Sequence, residues 1–398
     1  NKGRGMIRQL RYGVLFILLM IVVKSYSTHY MGGEITWECM GNGKYVFTLK
    51  AYRECAGIQY LDTQQLKVYN YPAVGNVSYI KLKLKTKRDI SPVCNKKGPT
   101  ISCDSAKVPN TGAIEEHIFV SDEIKLSGVP PAEGWIFVWD ACCRNPSDNI
   151  LKAEDAGWSL IAKMFPYNNS DEYPCFDSSP TFVESPSTIV CLGSDYKYNP
   201  YAFDKDNDSL VFSWAPPLNR DSGSTTFQVK SLIYNNKVGY FAYDSPLPGP
   251  DIDSRNIPAI IDNTSGQINF TSYTSGAYLT NIRVASYKNG ILVAEVYREI
   301  QIVLVDCSGN NLPDVVSPFI DKQGMGVFVD TVYVDTDINF NISAVDNDLL
   351  PDGSPQTITL TGYSPLFGNN YSDTSLGCII APCAILQPVP PVSMPQNV

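Results

Sequence analysis

Apolar and polar residues alternate with a period of two through much of the chain. In KYVFTLKAY (44–52), Tyr45, Phe47, Leu49 and Ala51 alternate with Val46, Thr48 and Lys50. In YIKLKLK (79–85), Ile80, Leu82 and Leu84 alternate with Lys81, Lys83 and Lys85. A β-strand points successive side chains to opposite faces, so each stretch predicts a strand with one face on a core and one in water. The same period runs through GWIFVWDA (134–141), SLVFSW (209–214) and NIRVASYKNGILVAEVYREIQIVLV (281–305), where Asn289-Gly290 supplies the positive φ angles that a two-residue hairpin turn requires. Helical periodicity over 11 or more residues is absent after residue 27, and 28 Gly and 28 Pro break the chain at short intervals. The expected class is all-β, built of tandem antiparallel β-sandwiches of about 100 residues each.

Two turn-rich stretches divide the pattern, PYNNSDEYPCFDSSP (166–180) and DCSGNNLPDVVSP (306–318). They set three expected units, 28–165, 166–307 and 308–398, the last reading as truncated. YAFDKDNDSLVFSW in the second unit is echoed by SAVDNDLLPDGSPQTITL in the third. Ahead of them, Arg8 and Arg11 precede an apolar run over residues 14–23, followed by small residues at Ser25 and Ser27. That is the outline of a secretory signal peptide, expected to span 1–27. Its apolar run is well short of the roughly 20 residues that cross a bilayer, so no stable transmembrane segment is expected.

Charge and cysteine content narrow the function. Forty acidic residues against 31 basic ones, a formal net charge of −9, disfavour a nucleic-acid surface, which needs a clustered basic footprint. The lysine row of 79–85 reads as a solvated sheet face. In an exported chain the eleven cysteines read as disulfides rather than metal ligands. Cys191 and Cys307 would tie the ends of the second unit, and Cys94–Cys103 and Cys378–Cys383 would close short local loops, although connectivity stays open. The odd count and the Pro-rich end PVPPVSMPQNV lead us to expect a longer protein of which this is the amino-terminal portion.

Catalytic signatures are missing. The two histidines are His29 and His117, and neither H-E-x-x-H, G-x-S-x-G nor a P-loop occurs. A non-enzymatic role is expected, with a hydrolase using two carboxylates distant in sequence as a rival. The acidic stretch AFDKDNDSL (202–210) sets Asp204, Asp206 and Asp208 at alternate positions. An EF-hand is ruled out, because counting Asp204 as its first position puts Ser209 where the glycine belongs and Ala215 where the glutamate belongs. Two readings stay open: a structural calcium held by Asp204, Asp206 and Asp208, with an echo at Asp346, Asp348 and Asp352, or an Asx-rich turn.

The stretch THYMGGEITWECMGNGKYVFTLKAYRECAG (28–57), together with GWIFVWDACCRNPSDNI (134–150), PYAFDKDNDSLVFSWAPP and SGAYLTNIRVASYKNGILVAEVYREIQIVLVDC, resembles the amino-terminal portion of large secreted surface proteins of Bacteroidota. These are the gliding-motility-associated or PKD-domain proteins exported by the type IX system. The resemblance implies immunoglobulin-, PKD- or cadherin-like modules and type IX secretion machinery as a partner. It further implies display at the outer cell surface or release, and an adhesin or scaffold role toward a surface polysaccharide or other cell-surface ligand. The alternative it leaves is the carbohydrate-binding portion of a secreted polysaccharide-degrading enzyme.

Overall fold

The computed structural model describes residues 30–71, 79–91, 102–104, 113–167, 175, 177–186, 188–221 and 227–307, with shorter pieces at 313–320, 323–327, 342–347, 353, 371–374 and 385–388. The described part up to Cys307 forms β1 (Tyr30–Gly41), β2 (Lys44–Glu54), β3 (Thr63–Tyr69), β4 (Tyr79–Asp89), β5 (Ile114–Ser121), β6 (Ile124–Lys125), β7 (Trp135–Cys142) and β8 (Gly157–Met164). It continues through β9 (Thr181–Phe182), β10 (Ile189–Cys191), β11 (Tyr196–Tyr198), β12 (Ala202–Phe203), β13 (Ser209–Trp214), β14 (Ile257–Ile261), β15 (Ile268–Thr271), β16 (Gly276–Lys288) and β17 (Ile291–Val305). One 3-10 turn, Ala153–Asp155, interrupts this all-β chain, and among the described residues no helix is long and apolar enough to cross a membrane.

The alternating sequences lie where one face is covered. In β2, Tyr45, Phe47, Leu49 and Ala51 are fully buried; in β4, Ile80 and Leu82 are buried while Lys81 and Lys83 face solvent. Phe47 and Phe137 meet at 4.5 Å between ring centroids, with Trp37 against Phe137 at 5.8 Å, in offset contacts that aromatic quadrupoles favour. Asn289 (φ 51°) and Gly290 (φ 79°) turn β16 into β17 as a tight hairpin.

β17 organises the molecule. Strands pair in the order β1-β2-β5-β4-β3-β7-β8-β17-β16-β13. One edge of β17 is taken by β16 along most of its length. The other edge is shared in turn by β8 at Ala294 to Val296, by β1 at Arg298 to Ile300, and by β10, running parallel, at Val303 to Val305. Since β1 pairs with both β2 and β17, the eight strands from β1 round to β17 close a ring of hydrogen-bonded neighbours. The expected boundary at 165/166 therefore does not separate two sheets. The 15 residues of β17 are long enough to pair with strands from both sides of it, and their burial on both faces marks a central strand.

Closure demands close backbone approach at β1. A Cβ at Gly32 would stand 2.2 Å from the Glu299 carbonyl oxygen, and Gly32 pairs with both Tyr52 and Ile300. Two buried ion pairs flank this junction on opposite faces of β17: Arg298 with Glu34, and Glu299 with Arg144. Asn145 donates to Gln301 Oε1 at 3.2 Å. Gly-Gly-Glu at 32–34 and Arg-Asn at 144–145 thus knit one structural junction.

The structure contains the disulfides Cys39–Cys175, Cys55–Cys103, Cys142–Cys143 and Cys191–Cys307. Cys191–Cys307 joins the end of β10 to a residue two positions past the end of β17. Cys94–Cys103 is corrected: Asp89 at the end of β4 accepts a hydrogen bond from the Cys103 amide at 2.7 Å, which sets Cys103 beside Cys55 at the end of β2. Sheet geometry, not closeness in sequence, selects the partner. Cys142 and Cys143, too adjacent to face one side of a strand, are bonded to each other across a cis peptide. Cys94, Cys378, Cys383 and the expected signal peptide 1–27 lie outside the described residues.

Past Cys307 the described residues form short antiparallel pairs. β18 (Asp314–Val316) pairs with β21 (Ser343–Val345), β19 (Phe319–Ile320) with β20 (Gly326–Val327), and β22 (Tyr371–Thr374) with β23 (Ile385–Pro388).

Candidate metal centre

The loop Asp204 to Asp208 joins β12 to β13. Its fold follows from short acidic side chains that bond their own backbone. Asp204 Oδ1 accepts from the amides of Asp206 at 2.8 Å and Asp208 at 3.3 Å, and the Asn207 amide donates to the Asp204 carbonyl at 3.2 Å. Asn207 takes the left-handed conformation, φ 61°. Asp204 Oδ2 accepts from Ser286 Oγ on β16 at 2.9 Å, so the loop is tied to the strand that β13 pairs with.

The expected trio is only partly brought together. Asp204 and Asp206 converge, but the third carboxylate beside them is Asp177 rather than Asp208. Their oxygens, one from each residue, lie within 4.8 Å of one another. Asp208 turns instead to Lys288, its Oδ2 accepting from Nζ at 2.7 Å, while Lys205 pairs with Glu38 across the outside of the loop. Asp346 is half-buried after β21, and Asp348 and Asp352 lie outside the described residues.

Asp177 comes from the turn-rich stretch that divides the first two expected units. The described residues around it are fastened along β1. The Trp37 amide donates to Ser179 Oγ at 2.8 Å, the Cys39 amide to Ser178 Oγ at 3.2 Å, and Cys175 is bonded to Cys39. Just beyond it, β9 pairs with β12, which delivers the 204–208 loop to the same place. The Ser178 amide then donates to Asp206 Oδ2 at 2.7 Å and closes the contact. Nothing in the spacing of the sequence links residue 177 to 204; only a staple at Cys175 could have hinted at it.

Asp177 is 2% exposed, and neither of its carboxylate oxygens accepts a hydrogen bond. Its ionic neighbour is Lys288, whose Nζ lies 3.3 Å from Oδ1. Burial, followed by the Asp208 and Asp204 carboxylates, pushes the Asp177 carboxyl well above the usual range, with Lys288 opposing. Burial likewise raises Asp204, against the hydrogen bonds from Ser286 and the two amides. Burial also works to lower Lys288, but its bond to Asp208 and the charge of Asp177 outweigh that and raise it. The donors are all oxygen, which suits calcium or magnesium and not the softer metals. Among the described residues, the other convergence of possible ligands, Cys55, Asp89 and Cys103, has its two sulfurs committed to a disulfide.

His117 is buried in β5. Its Nε2 lies 2.6 Å from Glu115 Oε2, and the same oxygen receives Arg53 Nη2 at 2.6 Å. This is a cross-strand charge network among β2, β4 and β5, joined by Lys87 at 2.8 Å from Glu115. Comparison with known proteins returns no match for this chain, whether to a family model, to a curated protein or to a solved structure.

Proposed function

We propose that the chain is a non-enzymatic segment of a secreted surface protein, an adhesin or scaffold portion of the gliding-motility-associated, type IX-exported kind that its motifs resemble. The observation that carries this reading is the set of four disulfides among the described residues, three of which join residues 48 or more positions apart. Such bridges form and persist in oxidising compartments. The closed ring of strands and its buried ion pairs support a stiff body suited to holding binding groups away from a surface. In keeping with this, the charged residues of the junction, Glu34, Arg144, Arg298 and Glu299, are spent on one another rather than turned outward.

The test is protease shaving of intact cells expressing the chain with its natural leader, combined with thiol alkylation. Cleavage by external protease and cysteines that react only after reduction are expected. A protected chain with freely alkylated cysteines would overturn the reading. On a glycan array, selective binding of one polysaccharide by the purified chain would replace the scaffold role with the carbohydrate-binding alternative.

A further inference from the structure

We propose that Asp177, Asp204 and Asp206 bind one hard divalent cation, calcium by the chemistry of the donors, which locks the 177–179 segment onto the 204–208 loop. Calcium takes oxygen ligands at about 2.3–2.6 Å, so ligands sharing one ion can be no more than about 5 Å apart. The three carboxylates meet this limit.

The acidic cluster alone would not carry the inference; Asp177 does. It is buried almost completely, its oxygens receive no hydrogen bond, and it points at two further carboxylates. A buried carboxylate in that position requires compensation. Lys288 offers a single ammonium to Asp177 and Asp208 together, and Lys205 is engaged with Glu38. One ammonium thus serves Asp177 and Asp208, and a divalent ion between Asp177, Asp204 and Asp206 would bring positive charge to the three carboxylates that converge there. The hydrogen bonds already present do not block the ion. Each carboxylate oxygen has two lone pairs, and the amide and hydroxyl bonds to Asp204 and Asp206 hold those side chains in place. The lock would join β1, through the Cys39–Cys175 staple, to β12, β13 and β16. It rests on this geometry and is independent of where the protein resides.

Calorimetric titration of the full chain, stripped with chelator and then given calcium or magnesium chloride, tests it together with thermal melting. We expect one calcium per chain with a dissociation constant of about 10⁻⁴ to 10⁻³ M, weaker magnesium binding, and a rise in melting temperature with calcium. Asp177→Asn keeps the shape of the side chain and takes away a carboxylate ligand. It should lose at least about tenfold in calcium affinity (about 1.4 kcal/mol). Asp206→Asn, at an exposed position, should lose affinity to a similar degree and serves if the first variant does not fold. Identical wild-type curves with and without calcium, or wild-type affinity in either variant, would overturn the proposal.

Discussion

Arg298 grips Glu34 across 264 positions of sequence, with Nε 2.5 Å from Oε2 and Nη2 2.8 Å from Oε1, both side chains being essentially inaccessible to water. Nη1 of the guanidinium donates further to the Glu184 carbonyl at 2.7 Å and the Tyr198 hydroxyl at 3.2 Å, and its plane lies over Phe182 at 4.1 Å. Lys50 adds a second cation 3.3 Å from Glu34. A buried pair satisfied to this extent holds β1 in register on β17.

Removing one partner leaves the other charge buried without compensation. Glu34→Gln or Arg298→Met should cost about 3–5 kcal/mol in denaturant-unfolding experiments, and the double variant Glu34→Gln/Arg298→Met should cost less than the sum of the two. A loss below about 1 kcal/mol for either single change would show that the pair does not secure the junction.

Gly32→Ala should prevent ring closure. The added methyl would overlap the Glu299 carbonyl and the Ile300 Cα at 2.9 Å, neither of which can move without breaking the β1–β17 pairing. Gly41→Ala, where nothing lies within 4 Å, should cost only the about 1–2 kcal/mol of a positive-φ conformation. Recovery of folded protein and its melting temperature would distinguish the two, and equal behaviour would count against the steric argument.

Acid should destabilise the protein in two windows. Burial acts to raise Glu115, but hydrogen bonds from Lys87, Arg53 and His117 prevail and lower it from 4.5 to about 2. Its contribution is thus present above the unfolded value and is lost as pH falls from about 4.5 through about 2. His117 is held below the ordinary histidine range, first by burial, so the unfolded chain binds the extra proton and stability begins to fall below about 6.5. Melting temperatures between pH 7 and 2 should show both declines, and Glu115→Gln should flatten the lower one. An unchanged acid limb in that variant would refute the assignment.

Opening the Cys39–Cys175 bridge by a double Cys→Ser change should weaken calcium binding while leaving one site per chain. The bridge holds the segment from which Asp177 projects, although Ser178 and Ser179 still bond β1. Titration calorimetry on the double variant should show several-fold lower affinity, and no change would mean that the two serines suffice to place Asp177.

Lys288→Met should have the opposite effect. The ammonium that now sits between Asp177 and Asp208 repels a second cation, and its removal should tighten calcium binding by about tenfold while lowering stability in chelator. Weaker binding in this variant would place Lys288 on the structural side of the site.

What the sequence determined by itself was local. Alternation in β2 and β4, the Asn289-Gly290 turn and the all-β class depend on side-chain direction at i and i+2 and on the φ angles of two residues, and these are written in adjacent positions. The Cys191–Cys307 pair was reachable because the two cysteines bracket one run of strands. Tertiary structure alone decided which strand edges meet. The length of β17 let it take β8, β1 and β10 in succession, and that erased the boundary drawn at 165/166. Cys103 went to Cys55 for the same reason, since the ends of β2 and β4, on either side of β5, bring together residues that spacing keeps apart. At the acidic loop, alternate spacing placed Asp208 with Asp204 and Asp206. The left-handed turn at Asn207 rotates it toward Lys288, and a segment fastened to β1 supplies Asp177 instead. A carboxylate's neighbours are set by the path of the backbone through space, and that path depends on pairings between strands far apart in the chain.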